Sequence, residues 1–211
     1  MKNLLLILIF SACATTTPRA INSSNGVRTP ASEVKADSGV QAYTPADVRF
    51  MRGMIHHHAQ AVVMAGWAPT HAASEAVKIL AGRIDVGQRD EIAFIERWLS
   101  DRHQAEHTSM PGMSMSGMSM ADTLMPGMLT PQQLKQLSAA KGVEFDRLFL
   151  TFMIQHHEGA LTMVNKLFSS QGAAQEEYVF RFASDVSTDQ TTEIDRMRTM
   201  LASHLPEPNR P

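Results

Sequence analysis

The sequence lacks cysteine pairs, an excess of basic charge and long hydrophobic runs, and each absence excludes a class of protein. Its single cysteine, Cys13, excludes an intramolecular disulfide and a multi-thiolate metal site. Nineteen basic and 21 acidic residues give a net charge of −2, unlike the basic balance of nucleic-acid-binding proteins, and we expect no nucleic-acid partner. The apolar run from Leu4 to Phe10 is too short to span a bilayer as a folded helix.

The first 13 residues instead have the order of a targeting segment. Lys2 supplies a positive charge, the apolar run follows, and the small residues Ser11 and Ala12 precede Cys13. This order resembles a bacterial lipoprotein signal, in which the cysteine is lipidated and anchors the mature protein to the membrane. A plain secretory signal cleaved nearby is the alternative. Both predict export, and we expect a lipoprotein on the periplasmic side of the cell envelope.

Helix signals divide the rest of the chain. Thr44 and the proline after it start a helix that Pro69 is expected to end, and apolar spacing predicts a second helix before a Ser-, Gly- and Met-rich loop. Thr130 starts another helical stretch, which Gly142 interrupts, and Pro206 stops the last helix. The predicted segments are the signal 1–13, a flexible tether 14–43, a first hairpin 44–103, the loop 104–129, a second hairpin 130–205 and a tail 206–211.

An internal repeat determines the predicted architecture. Eight residues of the first helix recur 99 positions later, and four residues of the next helix recur 102 positions later. One hairpin cannot bury its own apolar face, whereas two can pack together. We therefore predict an all-α fold: a ferritin-like four-helix bundle of two repeated hairpins with a methionine-rich loop between them. The repeated residues are Asp47, Phe50, Met54, Ile55, His57, His58, Ala61, Met64, Gln88, Glu91, Ile92 and Leu99, with Asp146, Phe149, Met153, Ile154, His156, His157, Ala160, Met163, Gln190, Glu193, Ile194 and Leu201 as counterparts.

The repeated histidines and methionines share one face of each helix. At about 100° per residue and with Met54 at zero, His57 falls at about −60°, His58 at about +40° and Met64 at about −80°. His56 falls about 160° away, and its counterpart in the second repeat is a glutamine, as expected for an exposed position. Two imidazoles and two thioethers therefore project together, and the second repeat supplies the matching set Met153, His156, His157 and Met163.

These ligand types favour copper. Thioether sulfur is an uncharged donor that binds soft ions, and imidazole suits copper, zinc, iron and nickel. A face that combines both without thiolate therefore favours Cu(I), or a site that accepts both Cu(I) and Cu(II). A di-iron bundle would show inward Glu-x-x-His pairs and a zinc protease would show His-Glu-x-x-His, and the sequence contains neither motif.

Structural alternatives remain open for the same residues. Methionines at helical spacing are more often core residues than ligands, and a duplication copies structural residues as faithfully as functional ones. Adjacent histidines on an apolar face are rarer, because a buried imidazole needs a polar partner. Gln88 and Glu91, like Gln190 and Glu193, lie in otherwise apolar stripes and are either exposed or orient the histidines by hydrogen bonding.

The loop between the repeats contains a second set of candidate ligands. Seven of the 15 methionines lie there, in a segment otherwise made largely of Ser, Gly and Pro. The alternative is a low-complexity linker, but exposed methionine in an exported protein invites oxidation and adds nothing to packing. Clustered thioethers suit Cu(I), so we predict ligands at Met110, Met113, Met115, Met118, Met120, Met125 and Met128.

Two blocks, residues 50–58 and 152–160, contain a duplicated Met-Ile-x-His-His motif. With the Met-Pro-Gly-Met stretch of the loop and the Gln-x-x-Glu-Ile pattern of both second helices, they resemble the bacterial family called domain of unknown function 305 over about residues 44–203. The resemblance implies a ferritin-like four-helix bundle with the repeated Met and His positions as ligands, and some members are periplasmic copper-binding proteins linked to copper resistance. The chain departs from the family at Ala59-Gln60, where members often have Glu-Gly, as at Glu158-Gly159.

We therefore expect a metal-binding protein of the bacterial cell envelope that holds copper, with Cu(I) favoured, for sequestration, resistance or transfer. A metal-dependent oxidoreductase of the cuprous oxidase type on the same bundle is the alternative, and oxygen consumption in the presence of Cu(I) separates the two. The expected partners are the metal ion, the membrane through Cys13 and other copper-handling envelope proteins. A homo-oligomer is compatible with this interpretation, and no residue is predicted to be catalytic.

Overall fold

The computed structural model describes residues 42–104 and 124–203, and the regular structure of those residues is helical. The predicted all-α fold is confirmed as a helical bundle. Residues 1–41, with Cys13 and nearly all of the predicted tether, lie outside the described residues. The five helices are α1 (Pro45–His71), α2 (Glu75–Asp101), α3 (Pro131–Ala139), α4 (Gly142–Phe168) and α5 (Glu177–Ser203).

Capping boxes start two of these helices at the residues that the sequence indicates. The Thr44 hydroxyl accepts from the Asp47 N–H (3.2 Å), and the Asp47 carboxylate accepts from the Thr44 N–H (2.7 Å). Thr130 and Gln133 form the same pair at the start of α3, at 3.2 and 2.9 Å. Each box satisfies two backbone donors that a helix start leaves unpaired, so these helix starts are fixed locally.

The predicted end of α1 at Pro69 is wrong, because the helix continues to His71. A proline removes one helical hydrogen bond and disfavours helix at the residue before it. Contacts of the last turn outweigh this local penalty. The His71 Nε2 lies 3.1 Å from the Ser138 carbonyl oxygen, and its ring packs on Phe145 with the centroids 5.4 Å apart. Tertiary contacts therefore carry α1 past the proline.

The bundle consists of two helical hairpins, α1–α2 and α4–α5, which meet mainly along α1 and α4. The short helix α3 packs on α1 and α4. Gly142, with a φ of +63°, is the first residue of α4, so the helical stretch that starts at Thr130 is interrupted at this glycine as predicted. α2 and α5 make few contacts with each other, and a cleft of about 240 Å³ lies between them. No helix in the described part of the chain has the length and apolar character of a membrane span.

The apolar core has the symmetry of the repeat. Buried side chains form two clusters, and repeat counterparts lie in opposite ones: Met54 is in one cluster and Met153 in the other. Ala61 and its counterpart Ala160 likewise lie in opposite clusters. The placement of counterparts in opposite clusters indicates that an approximate two-fold axis relates the hairpins. Each fully buried methionine or leucine contributes about 1.5–3 kcal/mol from burial, so the two clusters supply the main driving force for folding.

Two buried aspartates join the hairpins to each other. The Asp47 carboxylate accepts from the Ala174 N–H (2.7 Å), in the connection between α4 and α5. Its repeat counterpart Asp146 accepts from the N–H groups of Ala73 and Ser74 (3.1 and 2.8 Å), in the connection between α1 and α2. Charge-assisted hydrogen bonds compensate for the burial of both carboxylates. The first helix of each hairpin thus holds the turn of the other hairpin.

Candidate metal centre

Four histidines of the repeated motif lie together in the bundle interior. His57 and His58 belong to α1, His156 and His157 belong to α4, and all four side chains are fully buried. The centroids of the His57 and His156 rings are 3.9 Å apart, and each lies 6.3 or 6.2 Å from the second histidine of its own helix. The two repeats therefore contribute to one shared cluster, which we call the histidine row, in the order 58, 57, 156, 157.

A glutamate lies at each end of the histidine row. His157 Nε2 donates to Glu193 Oε2 at 2.6 Å, and His58 Nε2 lies 2.8 Å from Glu91 Oε2 in a less aligned geometry. Of the two roles that the sequence left open for these glutamates, the structure favours contact with the histidines. A carboxylate on Nε2 keeps the proton there and fixes the ring, so that Nδ1 retains its lone pair.

The two inner histidines are neutral. His57 Nε2 donates to the backbone carbonyl of Pro126 at 3.0 Å, and no carboxylate contacts it. Burial and the neighbouring His58 lower the pKa of His57 from 6.5 to about 3. Burial and His57 lower the pKa of His156 well below 6.5. At pH 7 both rings are therefore in the form that binds metal ions.

Several ring nitrogens of the histidine row have no hydrogen-bond partner among the described residues. They include Nδ1 of all four histidines and Nε2 of His156. Each buried polar atom without a partner lowers the stability of the folded protein by about 1–3 kcal/mol, so the metal-free row is destabilising compared with apolar side chains in the same place. Over residues 42–104 and 124–203, no group of three or more His, Cys, Asp or Glu side chains is arranged to hold an ion.

A loop segment next to the inner histidines packs on both α1 and α4. We call this segment, Met125–Leu129, the strap. The Gln60 side chain pairs with both the N–H and the carbonyl of Leu129, at 2.7 and 3.1 Å. On α4, the Gln155 amide donates to the Gly127 carbonyl at 3.2 Å. Gln155 is consequently half-buried, which corrects the prediction that its position is exposed, whereas its counterpart His56 is exposed as predicted.

Glycine allows the strap to approach α4 closely. A Cβ on Gly159 would overlap the Pro126 carbonyl, so only glycine fits at this helix position. Gly127 faces it and has a φ of +74°, a conformation that also favours glycine. The repeat counterpart of Gly159 is Gln60, which binds the same strap with its side chain. Gln60 therefore contacts the strap through its side chain, whereas Gly159 contacts it through its backbone. Glu158 is exposed and pairs with Arg198 (2.7 Å).

The predicted methionine ligands separate into buried and accessible residues. Met54, Met64 and Met153 are fully buried in the apolar core. Met163 is only partly buried, as are the two strap methionines, Met125 and Met128. The other five, Met110, Met113, Met115, Met118 and Met120, lie outside the described residues.

A cavity of about 230 Å³ is lined by Met125 and Met163. A Cβ built on Gly53, which also lines it, would lie 3.4 Å from Met125 Sδ and 3.3 Å from Met163 Cε. Both methionine side chains thus occupy the space next to this glycine. The repeat counterpart of Gly53 is Phe152, whose ring is buried in the core cluster that includes Leu137 of α3. The second repeat thus has a buried ring where this cavity has a glycine, and sequence reasoning missed the cavity although the Gly–Phe difference between the repeats was visible.

Comparison with known proteins adds family membership to this geometry. The family model described as "Domain of unknown function (DUF305)" matches residues 47–201, more than half of the chain. The chain belongs to the DUF305 family. The resemblance seen in the sequence is thereby confirmed. A comparison with curated proteins gives no significant match.

Solved DUF305 structures share the fold. A putative secreted DUF305 protein from Streptomyces coelicolor is 28% identical, with a TM-score of 0.65 over 78% of this chain and 98% of that chain. A DUF305 fragment from Deinococcus radiodurans is 27% identical, with a TM-score of 0.64 over 76% and 98%. CopM in its Cu(II)-bound form is 26% identical, with a TM-score of 0.59 over 75% and 97%. This DUF305 chain is thus similar along its described helices to a protein with a copper-bound structure.

Proposed function

We propose that this DUF305 protein binds copper, above all as Cu(I), for sequestration or transfer in the bacterial cell envelope. The observation that carries the proposal is the histidine row, which holds four fully buried imidazoles with nitrogen atoms that no described residue uses. A metal ion would use these nitrogen donors. The relative CopM, which has structures in Cu(II)-bound, Cu(I)-bound and Ag-bound forms, supports copper as the cargo, and the preference for Cu(I) comes from the thioether donors of this chain.

The cavity beside Gly53 supplies the thioether part of the proposal. Met125 and Met163 are partly exposed, whereas the histidine row is closed to solvent, so a copper ion meets the thioethers first. Arg49 and Lys166 also line this cavity, and their charge disfavours divalent ions more than a monovalent ion held by uncharged sulfur. The cavity therefore suits Cu(I) acquisition.

The strap connects the two sets of donors. Met125 lies in the cavity, and the next residue, Pro126, accepts the hydrogen bond from His57. Release of that hydrogen bond would free the His57 ring to turn, so that its one unprotonated nitrogen, Nδ1, can bind an ion beside His156. We infer that copper passes from Met125 and Met163 to the inner histidines when the strap moves. Met128 of the strap and the five methionines within residues 105–123 are further candidate ligands, on their sulfur chemistry alone.

Location is part of the same proposal. The order of charge, apolar run and small residues before Cys13 supports export and lipid anchoring. Binding rather than turnover remains our prediction, and the oxygen consumption of a Cu(I)-loaded sample tests it.

Exchange of the two cavity methionines tests the proposal. In Met125→Leu with Met163→Leu, Cu(I) affinity measured by anaerobic competition with a chromophoric chelator should fall at least tenfold, or about 1.4 kcal/mol. Ag(I) titration followed by methionine methyl NMR signals separates this cavity from the other methionines. The matched control is Met51→Leu, a fully buried methionine outside the cavity. All three Met-to-Leu changes conserve volume and should cost less than about 1.5 kcal/mol each. Unchanged Cu(I) affinity and unshifted Met125 and Met163 methyl signals would contradict the proposal.

A further inference from the structure

The cleft between α2 and α5 is polar, and the copper proposal leaves most of its side chains without a function. Its volume is about 240 Å³. Glu91 and Glu193 line it and each use one oxygen, Oε2, on a histidine, whereas Asp189 contacts none of the four histidines of the row. The polar lining residues are Arg83, Gln88, Glu91, Asp189, Gln190, Thr192, Glu193 and Arg196.

Two buried glutamines line this cleft without a hydrogen-bond partner in the described part of the chain. Gln88 and Gln190 are 4% and 2% exposed, and Oε1 of Gln88 and both amide atoms of Gln190 are unpartnered. Leucine has a similar size and would avoid the free-energy cost of burying an unpaired amide. The two glutamines are repeat counterparts, so both hairpins present an amide to the same cleft. This retention of buried polar groups indicates a ligand that they contact.

The carboxylates of the cleft repel one another. Burial, together with the charges of Glu91, Asp185 and Glu193, raises the pKa of Asp189. A cation between these groups would relieve the repulsion, and the amide oxygens of the glutamines would complete an oxygen-rich surrounding. Oxygen ligands of this kind are preferred by hard cations, not by Cu(I).

We propose that this cleft binds a hydrated divalent cation of the Mg²⁺ class, held by the side-chain oxygens of Gln88, Glu91, Asp189, Gln190 and Glu193. In the described residues no three carboxylates or histidines converge on one point, so contacts through the water shell fit better than direct chelation. Mg²⁺ gives up its water reluctantly and is commonly held by one or two carboxylates while it keeps several waters. The cleft has room for about eight water molecules at about 30 Å³ each, enough for an octahedral water shell.

Mn²⁺, a paramagnetic probe that takes the place of Mg²⁺, tests this site in the metal-free protein. We expect saturable binding by electron paramagnetic resonance, with Mn²⁺ broadening centred on the amide signals of Gln88 and Gln190 and reversed by excess Mg²⁺. Asp189→Asn, and separately Gln88→Leu with Gln190→Leu, should each weaken Mn²⁺ binding at least tenfold. The double leucine variant should also melt at a higher temperature than the wild type without metal, because it removes unpaired buried amides. The control Glu96→Gln, which removes a charge from an exposed position on α2, should change neither result.

Four results would overturn the proposal. The first is the absence of saturable Mn²⁺ binding, and the second is broadening centred away from the cleft. The third is unchanged Mn²⁺ affinity in the double leucine variant together with a lower melting temperature, which would make the glutamines structural. The fourth is that inorganic phosphate, but not Mn²⁺, shifts the cleft signals, because Arg83 and Arg196 would then define an anion site.

Discussion

At the scale of single residues, the inner histidines combine full burial with neutral rings and unused nitrogen atoms. His57 gives one nitrogen to the Pro126 carbonyl, and His156 gives neither nitrogen to any described residue. Protonation of either ring would place a charge in an apolar interior beside three other histidines. The inner rings therefore stay neutral in the folded protein, and acid acts on the row by favouring the unfolded state, in which both rings can take up protons.

Acidification should destabilise the metal-free protein between about pH 6.5 and pH 3. In this range the unfolded chain takes up a proton on His57 while the folded protein keeps that ring neutral, and the lowered pKa of His156 acts in the same direction. The unfolded state thus binds more protons, so the free energy of unfolding falls as the pH falls, by up to about 1.4 kcal/mol per pH unit for each histidine. Urea denaturation at several pH values measures this slope. His156→Leu should reduce it, and an identical slope in both proteins would contradict neutral burial of His156.

Helical geometry alone predicted which residues of the motif face inward. His57 and His58 are buried and His56 is exposed, as their angles around α1 indicate, because side-chain direction in a helix is set by local backbone geometry. The contact of His57 with Pro126 was beyond sequence reasoning, since it joins residues 69 positions apart through tertiary packing. The same holds for the meeting of Met125 and Met163 beside Gly53.

At the scale of elements, the strap is the segment on which the site depends. Its backbone is held by the side chains of Gln60 and Gln155, and it lies directly on the bare Cα of Gly159. The starts of α1 and α3 followed from capping patterns, but the end of α1 did not, because the contacts of His71 outweigh the local effect of Pro69. Element boundaries set by tertiary contacts are those that the sequence could not predict.

Gly159→Ala should displace the strap. The new Cβ would overlap the Pro126 carbonyl, so we expect a loss of about 1–3 kcal/mol of stability. The Leu129 amide, which donates to Gln60 in the native protein, should exchange its hydrogen faster. The control is Gly66→Ala on the exposed face of α1, where a Cβ meets nothing within 4 Å and should stabilise the helix by about 0.5–1 kcal/mol. Equal effects of the two changes, or unaltered exchange at Leu129, would show that the strap is not seated on Gly159.

At the scale of the whole molecule, the duplication explains the shared site. The two-fold relation of the hairpins brings His57 to His156 and gives each hairpin one aspartate that holds the turn of the other. Repeat detection predicted two like hairpins in one bundle, because equal apolar faces must pack on each other. It did not predict the asymmetry: α3 packs beside Met64, whereas the equivalent space beside Met163 is a cavity.

Asp146→Asn should weaken the joint between the hairpins. The carboxylate accepts two backbone hydrogen bonds from Ala73 and Ser74, and an amide in the same place retains one oxygen acceptor only. We expect a loss of about 1–3 kcal/mol in the free energy of unfolding, measured by urea denaturation at neutral pH. Asp85→Asn, which breaks a surface pair with Arg89 on α2, should change stability by less than about 1 kcal/mol. A stability loss no greater than that of the control would contradict the proposed link.

The measurement that tests the histidine row most directly is the Cu(I) affinity of His156→Leu, with the stability of the metal-free protein determined in the same samples. Leucine conserves most of the buried volume and removes two unpartnered nitrogen atoms. We predict Cu(I) binding at least tenfold weaker, or about 1.4 kcal/mol, with reduced stabilisation by the metal and no loss of metal-free stability. The control His56→Leu, at an exposed position on the opposite face of α1, should leave Cu(I) affinity unchanged. Unchanged Cu(I) affinity in His156→Leu, together with lower metal-free stability, would show that the row is a structural core and not a copper site.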